Sequence, residues 1–426
     1  MNLIGIDIKF YNTFYAFLIF IMIKIGFQIF THNKTEVATY INLLLKYSIL
    51  ITLPISLYYT NIIAYLVHLK DMLLPFIISM YLIYKISNIH QLKVFIRYVT
   101  YCSIFYSSFL IFEFSNKIFD IIPSINYAIN NYAILSGRSF LTEMSNFESL
   151  SPLDILRPIG LDSSFTATAF ISASGLLILV TMGQHIFRNK YYQNIFIIIS
   201  YFAVLLSTSR QIIMASHVTL FILIILIFLR RIYSKLIKTK KALKTLGISV
   251  IMILIIIVPN IPIHYYNYIT AKGGGGTGPI IIKNIKSLPE NIFNNMITYP
   301  IQSFFGIGAY TPNYQGLYGD MAHIDELHFL LDIPYTMGFL GFFLYWFIIY
   351  KSIKISWETA KLTRNKLYKD IYITGVLLGF LFAINLTHYS PVGIFSCFFV
   401  ALIPLIAVIA QKQLWYENHI MRMHIR

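Results

Sequence analysis

Apolar stretches broken by short polar or basic segments recur along almost the whole chain. They lie at roughly 11–30, 41–59, 71–87, 94–114, 164–182, 194–208, 212–229, 245–262, 328–350, 371–387 and 393–410. Most approach the length of about 20 residues that an α-helix needs to cross a bilayer. The pattern predicts an all-α polytopic membrane protein, a single transmembrane domain over 1–426 with about 11 helices, 10–12 allowing for ambiguous ends. A transmembrane barrel would show segments of about 10 residues with alternating polarity, and the sequence has none. It also shows no repeat of about 20–50 residues and no inverted-repeat signature of the kind found in secondary transporters.

Composition agrees with this reading. Of 426 residues, 57% are hydrophobic and 12% charged, against about 25% charged in a soluble domain. The net charge of +16 raises nucleic acid as a partner, but the distribution of the charge argues against it. Arg230, Arg231, Lys235, Lys238, Lys240, Lys241 and Lys244 crowd one short segment, and Lys351, Lys354, Lys361, Arg364, Lys366 and Lys369 another. This is the positive-inside pattern, so the charge reports orientation. A nucleic-acid site would need a basic stripe with interleaved aromatics on a soluble face. Segments 230–244, 351–370, 183–193 and 85–97 and the tail with Lys412, Arg422 and Arg426 are then cytoplasmic, and the N-terminus is outside. The first apolar run lacks a basic start and a small-residue cleavage site, so it reads as a retained helix. Cys102 and Cys397 both fall in apolar runs, which implies no disulfide framework.

This topology leaves two long outer loops, 115–163 and 263–326, and long loops in compact proteins are commonly functional. It places only three arginines outside: Arg138, Arg157 and Arg210. Arg157 opens Arg157-Pro158-Ile159-Gly160-Leu161-Asp162, just before a helix near Ser164. Pro158 fixes the backbone there, and a helix N-terminus favours anions. Arg210 closes Ser207-Thr208-Ser209-Arg210, a turn between two apolar runs. A charge in mid-membrane costs on the order of 2.5–3.5 kcal/mol, so it calls for a partner or a task. Hydroxyls beside a guanidinium make an anion clamp, because arginine grips phosphate oxygens through two parallel bonds. A membrane-interface anchor explains either arginine equally well from its own motif.

A third constellation runs from Phe305-Gly306-Ile307-Gly308 through His323-Ile324-Asp325-Glu326-Leu327-His328 to Gly338-Phe339-Leu340-Gly341. Glu326, His323 or Asp325 at a helix start can take a proton from a hydroxyl nucleophile. The same residues also fit a polar lip at the membrane surface. Their mixed helical and loop spacing speaks against a metal site. Gly273–Gly276 lacks the lysine and the strand–helix frame of a phosphate-binding loop and reads as a flexible tip. With 32 Tyr and 35 Phe in the chain, most rings must face lipid, but Tyr310, Tyr314 and Tyr318 are placed to stack on sugar rings.

The order of these motifs resembles the O-antigen polysaccharide polymerase (Wzy-type) and O-antigen ligase superfamily. An outer loop ends in Arg-x-x-Gly and a Ser-x-Ser-Arg turn follows. After the second outer loop come Phe-Gly-Ile-Gly, an acidic or His-bearing helix start and a Gly-x-x-Gly helix. Motif detail covers about 150–345 and the layout covers the chain. The resemblance implies a GT-C-like glycosyltransferase of the bacterial inner membrane, active at its periplasmic face without metal or cofactor. Its substrate would be an oligosaccharide on undecaprenyl pyrophosphate, among membrane lipids and with a chain-length-regulating co-polymerase as partner. Arg157 and Arg210, with Arg138, would engage the pyrophosphate, and Glu326, with His323 and Asp325, would act on the acceptor. Ligases carry a His-Asn pair where this chain has Asp325-Glu326-Leu327-His328, which favours polymerase over ligase. A flippase or transporter is the remaining expectation, weakened by the scarcity of carboxylates inside the apolar runs.

Overall fold

A computed structural model describes residues 2–3, 6–7, 35–59, 72–119, 121–122, 165–207, 209–236, 300–306, 328–385 and 395–424. Apart from a two-residue antiparallel pairing, Asn2 opposite Asp7 and Leu3 opposite Ile6, the described elements are helices. In chain order they are α1 (Glu36–Tyr47), a π-helical turn Ser48–Thr52, α2 (Leu53–Tyr59), α3 (Leu74–Lys85), α4 (Ile89–Phe119), α5 (Phe165–Ile186) and α6 (Lys190–Leu206). There follow α7 (Arg210–Leu236), α8 (Pro300–Phe305), α9 (His328–Leu362), α10 (Lys366–Asn385) and α11 (Ser396–His424). Six are long and apolar enough to cross a membrane: Glu36–Tyr58, Ile89–Phe119, Thr166–Ile186, Thr336–Leu362, Lys366–Asn385 and Ser396–Trp415. The protein is therefore a helical membrane protein.

Nine of the predicted runs coincide with described helices. The other two, 11–30 and 245–262, lie outside the described residues. In the run at 71–87 the described helix comprises the π-helical turn at 72–73 and α3, and ends at Lys85. α4 continues past residue 115, the predicted start of the first outer loop, to Phe119. α8 lies within the predicted second outer loop, 263–326. Helices outrun their apolar stretches because intrahelical hydrogen bonding continues beyond the hydrocarbon region; α9 runs to Leu362 rather than 350.

α5 and α11 form the centre. α5 packs against α4, α6, α7, α10 and α11, and α11 against α1, α3, α4, α5, α9 and α10. Sequence explains the position of α5. Its first half reads Thr-Ala-Thr-Ala-Phe-Ile-Ser-Ala-Ser-Gly, and small residues let helix backbones approach closely where no hydrophobic force drives association. A Cβ added at Gly175 would lie 2.5 Å from Ser103 Cβ of α4. α10 carries Gly375-x-x-x-Gly379 for the same reason. A Cβ at Gly375 would meet Ile406 Cγ2 of α11 at 2.8 Å, and one at Gly379 would meet Ile353 Cδ1 of α9 at 2.9 Å. Replacing Gly379 with leucine is expected to wedge α10 away from α9 and destabilise the bundle by about 1–3 kcal/mol. The check is the melting temperature of detergent-solubilised protein; an unchanged value would mean that the gap is not needed.

Helix starts at one end share a device. Asn88, Asn189 and Asn365 each accept a backbone N–H of the helix they precede, from Gln91 at 3.0 Å, Tyr191 at 2.8 Å and Leu367 at 3.0 Å. Two of these turns repeat the tripeptide Arg-Asn-Lys, at 188–190 and 364–366. They lie in the segments predicted to be basic and on one side, and polar cross-links join those segments. Asp370 Oδ2 is 3.0 Å from His185 Nε2 and accepts from Gln184 Nε2 at 3.0 Å; Lys366 Nζ donates to Gln184 Oε1 at 2.9 Å. At the same end Glu36 pairs with Lys351, and its N–H donates to Gln411 Oε1. These cross-links connect segments that the basic-residue count puts on one side.

Candidate functional site

At the opposite end two motifs from the third constellation meet. α9 is broken at Gly338 (φ 65°, ψ −179°), a backbone region open almost only to glycine. Gly306, which follows the last residue of α8, also has positive φ, 86°. The two glycines lie against each other. A Cβ on Gly306 would be 2.6 Å from Gly338 N and would overlap the Thr336 carbonyl oxygen; one on Gly338 would be 2.5 Å from Gly306 N and would overlap the Phe304 carbonyl oxygen. Phe305-Gly306 and Gly338-x-x-Gly341, read in the sequence as parts of one constellation, are thus in contact.

Tyr47, which sequence reading missed, sits between them. Its hydroxyl donates to Met337 O at 2.7 Å and also lies 3.1 Å from Phe305 O. A helix break and a helix end both take carbonyls out of the helical ladder, and a membrane interior offers no water to meet them. Tyr47 supplies that donor. Its ring lies along Gly341, where an added Cβ would stand 3.2 Å from Tyr47 Cε1. On another side of the break, Thr336 Oγ1 donates to Met72 Sδ at 3.8 Å. Separations of 258 and 290 residues leave no local signal for the Tyr47 contacts.

The Arg210 turn is a helical hairpin, as the sequence implied. α6 ends at Leu206 and Arg210 is the first residue of α7. Ser207 and Ser209 are buried. Ser207 Oγ donates to Val204 O at 2.6 Å and accepts Ser209 N–H at 3.3 Å, and Ser209 O accepts Ile213 N–H at 2.9 Å. The hydroxyl-rich turn is thus wound into the hairpin. Farther along, His217 Nδ1 lies 2.7 Å from Ile213 O and donates to it, so Nε2 is left to accept from Tyr201 OH at 3.1 Å, tying α7 to α6. Two features make the start of α7 electropositive. A helix N-terminus carries roughly half a positive charge, and the first turn has an arginine and no acid. Arginine there opposes the dipole by about 0.3–1 kcal/mol. A bound anion would reverse that cost.

No protein-family model, curated protein or solved structure matches the chain.

Arg138, Arg157, Tyr310, Tyr314, Tyr318, His323, Asp325 and Glu326 lie outside the described residues. By sequence, Glu326 stands two positions before His328, the first residue of α9. A buried carboxylate not assigned a role in the sequence reading lies at the loop end of α4. Glu113 is fully buried and pairs with Lys117 at 3.1 Å. One turn along α4, Asn116 Oδ1 accepts Ile122 N–H at 2.7 Å and Nδ2 donates to Ile122 O at 3.2 Å, pinning Ile122 to the end of the helix.

Proposed function

We propose that the chain is a polysaccharide polymerase of the bacterial inner membrane, built on about 11 spans in a GT-C-like arrangement and acting at the periplasmic face. The observation that carries this reading is the start of α7. Arg210 opens that helix with no acid in its first turn, immediately after a buried serine turn. A pyrophosphate is the anion that such a place suits, and an outer membrane surface is where a lipid-linked one is presented.

In this reading the donor is a glycan on undecaprenyl pyrophosphate. A hydroxyl of the next lipid-linked repeat unit attacks the anomeric carbon of the donor. The carbon–oxygen bond to pyrophosphate breaks and its electron pair leaves with the phosphate. Arg210 and Arg157, with Arg138, stabilise that developing charge. Glu326, with Asp325 and His323 beside it, orients the attacking hydroxyl and takes its proton. Tyr310, Tyr314 and Tyr318 stack on the sugars. The scheme needs no metal or nucleotide, since pyrophosphate is a competent leaving group once neutralised. A co-polymerase that regulates chain length is the expected protein partner.

Inactivating the chain in its host separates this reading from its neighbour. Loss of a polymerase leaves single repeat units on the lipid A core, whereas loss of a ligase leaves long polymer on the lipid carrier. A gel of the extracted glycans distinguishes them, and polymer retained on the carrier would replace the polymerase reading with the ligase one. Loss of a flippase would leave repeat units stranded on the cytoplasmic face.

A further inference from the structure

We infer that Tyr47 is a positioning residue that locks the first turns of α9 and the short helix α8 to α1, and so sets the direction of the segment 328–337. The positioning role rests on the proposed polymerase reading; the lock rests on geometry alone. α8 ends at Phe305 and α9 breaks at Gly338, and the two ends touch through glycines whose conformations other residues rarely adopt. One hydroxyl reaches both: Met337 O at 2.7 Å and Phe305 O at 3.1 Å. A single O–H cannot donate fully to two carbonyls, so it is the shared element of the junction. Tyr47 is itself held firmly. It is the last residue of α1, it is followed by the π-helical turn Ser48–Thr52, and its ring fills the space left by Gly341. Such turns cluster at functional places because they shift the register of everything before them. Met72, the acceptor on the other flank, also lies in a π-helical turn, at 72–73. The broken segment 336–338 is therefore gripped by two irregular turns. Downstream of the grip α9 packs in the bundle, while upstream of it run ten helical residues, 328–337, with Glu326 two positions ahead in the sequence.

The test is Tyr47→Phe, which keeps the ring on Gly341 and removes only the hydroxyl. Full-length protein in lipid nanodiscs carries spin labels at Leu43→Cys on α1 and Ile301→Cys on α8, both exposed positions, with the exposed Cys102 replaced by serine and the buried Cys397 retained. With Tyr47 present one narrow distance is expected. With phenylalanine a displaced population about fivefold larger is expected, the weight of one hydrogen bond. An unchanged distribution overturns the lock. A second variant, Gly341→Ala, keeps the hydroxyl but sets a methyl group against both Met337 Cβ and the Tyr47 ring, and it is expected to displace α8 in the same sense; no displacement in either variant overturns the inference. Polymer synthesis in membranes tests the positioning. Turnover should fall in proportion to the displaced fraction read from the spin labels, while the KM for the lipid-linked repeat unit holds. Full turnover in a displaced protein overturns the positioning role. If Arg210→Ala also leaves synthesis intact, it is the polymerase reading that has failed, and the spin-label distance still decides the lock.

Discussion

Gly338→Ala is expected to keep the protein from accumulating in the membrane. At φ 65° and ψ −179° a Cβ strains the backbone by on the order of 1–3 kcal/mol. The same Cβ would overlap the Phe304 carbonyl oxygen and stand 2.5 Å from Gly306 N. Both neighbours are backbone, so no side chain can swing aside to relieve the clash, and overpacking adds about 1–3 kcal/mol. Together these reach roughly 2–6 kcal/mol, a large part of the 5–15 kcal/mol by which folded proteins exceed their unfolded states. Measuring the membrane level of the variant and its aggregation temperature in detergent decides the matter. A variant with normal level and normal melting would show that α8 and α9 do not touch as described.

Gly306→Ala should behave alike, since its Cβ would lie 2.6 Å from Gly338 N. The two changes attack one contact, and changes that share a contact are not additive. The double variant should therefore lose little beyond the worse single. Gly341→Ala belongs with these changes rather than below them, because its Cβ would overlap Met337 Cβ as well as meet the Tyr47 ring at 3.2 Å.

The helix positions were legible because apolar length is set by the bilayer. α5, α6, α7, α9, α10 and α11 all overlap runs that the sequence displays. The glycines of the junction were legible as a motif but not as a contact. Gly306 and Gly338 carry no mark of mutual approach beyond their lack of a Cβ. Tyr47 was illegible for a different reason. Tyrosines are common in this chain, and a tyrosine in an apolar run reads as interfacial or lipid-facing. Only the two carbonyls it meets, contributed by α8 and α9, distinguish it. The hairpin before Arg210 was legible because serine, threonine and arginine interrupt two apolar runs within four residues. Its burial was not, since interface and interior turns share that composition.

If the proposed polymerase reading holds, Arg210→Ala is expected to abolish long polymer and leave the fold in place. The residue opens α7 at the positive end of the helix dipole, with no acid in the first turn to offset it. Removing the arginine therefore relieves the helix slightly, by about 0.3–1 kcal/mol, so protein level should hold or rise. In the proposed polymerase reading, the developing charge on the leaving pyrophosphate would, by contrast, lose a fork of two charge-assisted hydrogen bonds. Removing one such donor from a preorganised anion site costs on the order of 10²–10³ in turnover. Arg210→Lys keeps the charge but not the fork, so it should recover only part of the loss. These opposite signs make the pair diagnostic. A structural anchor would lose stability and output together, whereas a pyrophosphate ligand loses output alone. Glycan ladders from cells that express each variant at matched membrane level supply the readout. Wild-type ladders from Arg210→Ala would remove Arg210 from the chemistry, and with it the observation on which the polymerase reading stands.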